Sequence, residues 1–409
     1  MPILKLVFLF CFLVFLLRRW LLGHALFLAS VLGGLIQGLT PWQIGISFVN
    51  TLSNLQNLLL CCIILSILIF AHSLSKTGYL KGMIKSYQGI FPWSRPNLMM
   101  LPSLIGLLPM PGGAIFSAPL VKTLGQPLKI SSTRLALINY WFRHTWEYTW
   151  PLYPGLILAI HLGGVNLLKL IVIDMPITLV AFSLGFIFFL KPVKGKMPKS
   201  NKNVLGFLKE IAPILIVILL TICGRLIFHF LPEEITIGLA VWIGIIWVWL
   251  RQKITWSQFL AILRDKTLLK VLYAVLAIFF FKQILNDSQI VLDASKTLIS
   301  YHVPLALIAA GLPFLVGLII GLTLAFVGST FPLISALLEV AHVPTLPYIM
   351  LAFCSGIVGV LLSPMHLCLV LSIEYFQVEF GKTYRQLYLP CALMLLSIVT
   401  WFAILRYLC

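Results

Sequence analysis

Apolar runs of membrane-spanning length alternate with short polar connections along the whole chain. Uninterrupted runs fall at about 3–17, 21–38, 53–75, 165–190, 206–230, 234–250, 267–286 and 386–408. Each reaches or approaches the ~20 residues that cross a ~30 Å hydrocarbon layer. Four further stretches, 97–125, 133–162, 310–341 and 346–378, are as apolar but carry helix breakers. In LLPMPGGAIFSAPLV (107–121), Pro109 and Pro111 remove backbone donors. Gly112 and Gly113 permit angles other residues avoid. The other breaks fall at Thr145 to Pro154, at Gly328-Ser329-Thr330 ahead of Pro332, and at Gly356 to His366. Broken backbone at membrane depth persists only where it is buried in protein or lines a wet cavity. The stretches 97–125 and 310–341 are therefore expected as re-entrant hairpins, with tips at Pro109 to Ser117 and Gly328 to Thr330. The other two are expected as interrupted helices.

The two halves repeat at an offset of 213 residues without a gap: Pro119 falls on Pro332, Pro151 on Pro364, and FSAPLV (116–121) on STFPLI (329–334). Periods of this kind mark internal duplication. Lys and Arg then set the orientation. They cluster at Arg18–Arg19, at 76–95, 122–134, 191–209 and 251–270, and at Lys382 and Arg385. The connections 39–52, 231–235 and 287–302 are poor in them. Basic loops stay cytoplasmic, and the clusters alternate only if each hairpin enters and leaves on one side. Each half then has five crossings plus one hairpin. The predicted fold is an all-α polytopic membrane protein with an inverted-topology repeat, 1–190 and 206–409, joined by a Lys-rich cytoplasmic linker at 191–205. Both termini lie outside. Arg18–Arg19 follow the first apolar run, so that run reads as a transmembrane helix and not as a signal peptide.

Composition adds little to this picture except by exclusion. Only 10% of the 409 residues are charged, against about 25% in soluble proteins. The net charge of +18 sorts by loop, so it points to a lipid bilayer and not to nucleic acid. The eight Cys lie in or beside apolar spans without metal-site spacing and read as packing residues. No HExxH, GxSxG or GxxxxGK[ST] pattern occurs, no soluble nucleotide domain is present, and no enzyme activity or cofactor is expected.

Inverted repeats with discontinuous helices place a binding site near the membrane midplane. The positive, unpaired N-terminal ends of half-helices hold anions, and free carbonyls hold Na⁺. Pro111, Gly112, Gly113, Ser117, Gly328, Ser329 and Thr330 are thus candidate substrate contacts. So are Ser363 and His366 at the fourth break, and Arg143, whose charge inside a span is costly and typically functional. Arg143 and Glu147 are four apart and share a helix face. His144, Thr145, Glu147 and Asp174 are candidates for ion or proton coupling.

The motifs LPSLIGLLPMPGGAIFSAPLV, NYWFRHTWEYTWPLYPG and SGIVGVLLSPMHLCLVLSIEYF resemble the domain-of-unknown-function 401 family of the ion transporter superfamily. Gluconate and lactate permeases and dicarboxylate–sodium symporters share that superfamily. The resemblance covers nearly the whole chain. It implies a prokaryotic inner-membrane protein, two opposed hairpins, two interrupted helices, a homodimer and elevator motion. Where dicarboxylate carriers hold substrate at Ser-Asn-Thr tips, this chain has Pro-Gly-Gly at 111–113 and Gly-Ser-Thr at 328–330. The expected function is cation-coupled secondary transport of a small organic anion of the carboxylate class, with Na⁺ or H⁺ as coupling ion. A non-transporting membrane scaffold and an anion channel are the alternatives.

Overall fold

A computed structural model describes residues 2–87, 91–110, 112–195, 204–228, 230–290, 293, 296–297, 301 and 303–408. These residues form helices and no strand. The first half holds α1 (Pro2–Leu17), α2 (Leu22–Ile36), α3 (Pro41–Ser53), α4 (Leu55–Lys76) and α5 (Tyr79–Tyr87). It continues with α6 (Ser94–Gly106), α7 (Ala114–Gly125), α8 (Ser132–Arg143), α9 (Pro154–Gly163) and α10 (Leu167–Gly185). The second half holds α11 (Val204–Ile227), α12 (Glu233–Gln252), α13 (Trp256–Leu263) and α14 (Lys266–Asp287). It closes with α15 (Leu305–Ile320), α16 (Thr323–Ala341), α17 (Thr345–Leu361), α18 (Leu367–Phe376) and α19 (Phe380–Leu408). Seven helical stretches among the described residues are long and apolar enough to cross a membrane.

Short helices α3 and α13 were not expected, because their segments read as loops. Each starts at a reciprocal cap, Thr40 with Gln43 and Thr255 with Gln258. Such boxes satisfy two orphan amides at once. The long apolar stretches 133–162 and 346–378 are broken as expected, into α8 and α9 and into α17 and α18. The first hairpin turns between α6 and α7, with 107–110 and 112–113 as its described turn residues.

The second hairpin turns elsewhere than the sequence reading placed it. α15 ends at Gly321, in the left-handed conformation (φ 71°), and α16 starts two residues later. Gly328, Ser329 and Thr330 lie inside α16. The Ser329 hydroxyl donates to the Ala325 carbonyl at 2.6 Å and Thr330 to Phe326 at 2.7 Å. These are bonds back into the same helix, not caps of its first turn. Gly328 serves close packing: a Cβ there would lie 2.4 Å from Ile278 of α14.

At a shift of 213, α6 to α10 fall on α15 to α19, and α9 coincides with α18 end to end. The left-handed residues ending these elements recur at the same shift. Lys129 and His342 have φ 52° and 51°, and Gly164 and Gln377 have 63° and 52°. Packing also comes in exchanged pairs. α7 packs on α18 and α16 on α9, while α2 packs on α14 and α4 on α12. Helices α6 to α10 and α15 to α19 form one packed group, and α1 to α5 with α11 to α14 a second. They touch chiefly through α14 with α16, α4 with α9, and α1 with α15.

Candidate functional site

Both hairpin turns and both helix breaks converge in the first of these groups. At the end of α8, Arg143 is 2% exposed. Its Nη2 donates to the carbonyls of Leu108 and Met110 at 3.2 and 3.1 Å, and its Nη1 to Gly106 at 3.5 Å. The Gly106 carbonyl is one that α6 leaves unpaired at its C-terminal end, where a cation is favoured. The Leu108 and Met110 carbonyls lie in the turn beyond it and also accept from the Met110 and Gly113 amides. Nη1 also lies 3.8 Å from Glu147 Oε1. Arg143 thus holds the first turn and pairs with Glu147, whose second oxygen has no partner among the described residues.

Two glycines make this approach feasible. A Cβ on Gly106 would lie 2.3 Å from the Arg143 carbonyl, and a Cβ on Gly113 would lie 2.8 Å from its guanidinium nitrogens. At a shift of 213, in the second half, the filling is reversed. Gly356 stands at the position of Arg143 and Phe326 at that of Gly113, and Phe326 fills the space above Gly356. One fold therefore carries a charged plug in one half and an apolar plug in the other.

At the second turn, a Cβ on Gly321 would lie 2.8 Å from Ser363 Oγ and 2.9 Å from the His366 amide. The Gly321 carbonyl accepts from His366 Nδ1 at 2.8 Å. Gly321→Ala is expected to cost about 1–2 kcal/mol from the left-handed backbone alone, read as a lower thermal midpoint in detergent. An unchanged midpoint would mean that the turn is not packed as described. Two residues on, Thr323 meets Tyr153 of the first half, hydroxyl to hydroxyl at 3.2 Å. This contact fixes the start of α16 at the level of the break between α8 and α9.

The two breaks also meet each other. His144 Nε2 lies 2.9 Å from His366 Nε2, and Cys368 stands beside both. Tyr140 donates its hydroxyl to the Leu361 carbonyl at 2.8 Å, tying α8 to the end of α17. Asn139 bridges the Ala114 carbonyl at 3.0 Å and Ser372 Oγ at 2.9 Å. The four helices that begin here, α7, α9, α16 and α18, have no side-chain cap.

Of the residues singled out in the sequence, Gly113, Arg143, His144, Glu147, Ser363 and His366 lie at this convergence. Gly112 sits at the first turn (φ 68°), facing Leu367 and Leu371 of α18. Ser117 and Thr145 are buried but bond locally, to the Ala114 and Phe142 carbonyls. Pro111 lies outside the described residues. Gly328, Ser329 and Thr330 are in mid-helix, as described. Asp174 is fully buried in α10 with the Cys354 thiol of α17 beside it, and neither carboxylate oxygen has a nitrogen or oxygen partner among the described residues. Sequence reasoning missed Gly321, Thr323 and Cys368. A glycine closing a periodic apolar run is a helix-stop signal, and it would have located Gly321.

A cavity of about 270 Å³ lies apart from this convergence, between α4, α9 and α12, with Gln56, His161, Glu233, Glu234 and Lys282 among its lining. None of the predicted residues lines it. Its acids are engaged: Glu233 with Arg225 at 3.0 Å and Glu234 with His161 at 3.6 Å. The convergence of breaks, with its unpaired Glu147 oxygen and facing imidazoles, is the stronger candidate site.

Fold and site together define a polytopic helical membrane protein in which two hairpin turns and two interrupted helices meet. The chain belongs to the family described as protein of unknown function (DUF401), which matches residues 3–406. No curated protein matches the sequence. The fold is similar to that in the crystal structure of the Alcanivorax borkumensis YdaH transporter, described as having an unusual topology. The TM-score is 0.63 at 11% identity, over 90% of this chain and 89% of that one.

Proposed function

We propose that the protein is a secondary active transporter of a small organic anion of the carboxylate class, coupled to H⁺ or Na⁺. The observation that carries this reading is the meeting of four chain breaks around buried Arg143, His144, Glu147 and His366. Four half-helices open there without side-chain caps. Their first amides and positive ends favour an anion. Arg143 adds positive field while its hydrogen bonds position the first turn. Asp174 supplies a buried carboxylate for the coupling ion. The similarly folded YdaH protein is itself a transporter. In this reading α1 to α5 and α11 to α14 are the static scaffold. The group α6 to α10 with α15 to α19 moves as an elevator, and the two halves face opposite sides of the membrane.

A thermal-shift panel of organic acids, with and without Na⁺ and across pH, identifies the ligand. Proteoliposome flux then tests the reading. The expected result is saturable uptake with counterflow. Flux that does not saturate would indicate a channel, and no flux of any stabilising acid would indicate a scaffold.

A further inference from the structure

We propose that His144, His366 and Cys368, with Glu147, form a binding site for one borderline-soft divalent metal ion such as Zn²⁺. The imidazole nitrogens that do not face each other fix the tautomers. His144 Nδ1 lies 2.6 Å from the Tyr140 carbonyl and His366 Nδ1 lies 2.8 Å from the Gly321 carbonyl. A carbonyl only accepts, so both Nδ1 atoms carry the hydrogen. In the neutral rings both Nε2 atoms then present bare lone pairs. These two atoms nonetheless face each other at 2.9 Å. Two acceptors at that distance need a cation between them.

Metal-bound histidines nearly always donate their second ring N–H to a carbonyl or carboxylate, which fixes the tautomer. Both rings meet that condition here, and each for a local reason. The His144 amide bonds to Trp141 at the end of α8, so the Tyr140 carbonyl is free to accept from the side chain. Gly321 turns its carbonyl to His366 from the left-handed conformation that ends α15.

Cys368 favours a metal over a shared proton. Its sulfur and the two imidazole nitrogens all lie within 4.8 Å of one another. Donors on one zinc stand about 2.0–2.3 Å from the ion, so neighbouring donors are roughly 3.3–3.7 Å apart. The spacing here brackets that range, and small side-chain rotations close it. A fourth donor is at hand. Glu147 Oε1 is 4.0 Å from His144 Nε2 and Oε2 is buried without a partner. Oε1 is also the oxygen 3.8 Å from Arg143 Nη1, so a turn of the carboxylate would bring the unpartnered Oε2 to the metal while Oε1 stays with Arg143. The thiolate offsets one charge of the ion, and the Glu147 carboxylate stands between the ion and Arg143 and is shared by both. The thiol proton leaves to solvent on binding, as for any cysteine ligand. The donor set mixes N, S and O, which suits Zn²⁺ and its Co²⁺ surrogate. The ion would bridge the break between α8 and α9 to the break between α17 and α18, and so join the two repeats.

This inference is independent of transport, because it is read on the purified full-length chain in detergent. Titration with Co²⁺ should give one ion per chain, four-coordinate visible bands and a thiolate-to-cobalt charge-transfer band in the near ultraviolet. Zn²⁺ should displace it and raise the melting temperature. Cys368→Ser should lose the charge-transfer band, and His366→Ala should weaken binding more than ~10-fold. Cys61→Ser, in α4 and outside the cluster, should behave as the parent does and controls for handling of the thiols. An absent charge-transfer band, an equal band in Cys368→Ser, or no binding to the parent chain would each overturn the proposal. The last result would leave a proton as the cation between the rings.

Discussion

Arg143→Ala should lower the stability of the protein by about 3–5 kcal/mol, the range found when one partner of a buried ion pair is removed. The loss has two sources. Glu147, 4% exposed, is left without its cation. The Leu108 and Met110 carbonyls, in the turn after α6, lose their guanidinium donor and keep only the Met110 and Gly113 amides. Arg143→Lys should recover only part, since an ammonium cannot reach two turn carbonyls and a carboxylate in one plane. Adding Glu147→Gln to Arg143→Ala should restore some stability, because no buried charge then stands alone. That coupling is read from a double-mutant cycle of thermal midpoints. Simple additivity of the two changes would show that the pair does not interact. Under the transport proposal, Arg143→Ala also abolishes uptake even when the protein reaches the membrane, since the first turn is no longer held against α8.

Gly106→Ala should be nearly as damaging, at the upper end of the about 1–3 kcal/mol typical of overpacking. The added Cβ would lie 2.3 Å from the Arg143 carbonyl oxygen. That atom is backbone, so no rotamer change relieves the contact, and α6 and α8 must separate. Separation stretches the Arg143 hydrogen bonds to the turn and loosens the site by the same motion. Gly311→Ala, in α15 with open space around its Cβ, is the matched control. It should raise helix propensity and leave the midpoint unchanged or slightly higher. If Gly106→Ala melted like Gly311→Ala, the close crossing of α6 and α8 would be wrong.

Much of this architecture was legible in the chain because breakers inside apolar runs leave few options. Pro109, Gly112 and Gly113 located the first turn, and the breaks at 145–154 and 356–366 followed the same logic. The second turn was misplaced for a definite physical reason. Gly-Ser-Thr ahead of a proline looks like a helix start, yet Ser329 and Thr330 bond back to carbonyls four residues earlier. Gly328 is small because α14 passes close to it. The true turn at Gly321 has only a glycine and no proline to announce it. Short α3 and α13 fell below the length that periodicity resolves, although their Thr and Gln caps were in plain view. The facing of His144 and His366 could not be read at all. They are 222 residues apart, in different halves of the chain, so only the packing of one half on the other brings them together.

The central claim is that the two hairpins are related by inversion and enter the membrane from opposite faces. Lys129 and His342 test it most directly. They are exposed and hold the same left-handed conformation, His342 capping α16 and Lys129 capping the 3-10 turn Gln126–Leu128 that follows α7. Single cysteines at these positions, read against the parent chain's own thiols, can be labelled in right-side-out and inverted vesicles with a membrane-impermeant maleimide. The account predicts labelling of Lys129→Cys from the cytoplasmic face only and of His342→Cys from the outer face only. Labelling of both from one face would contradict it.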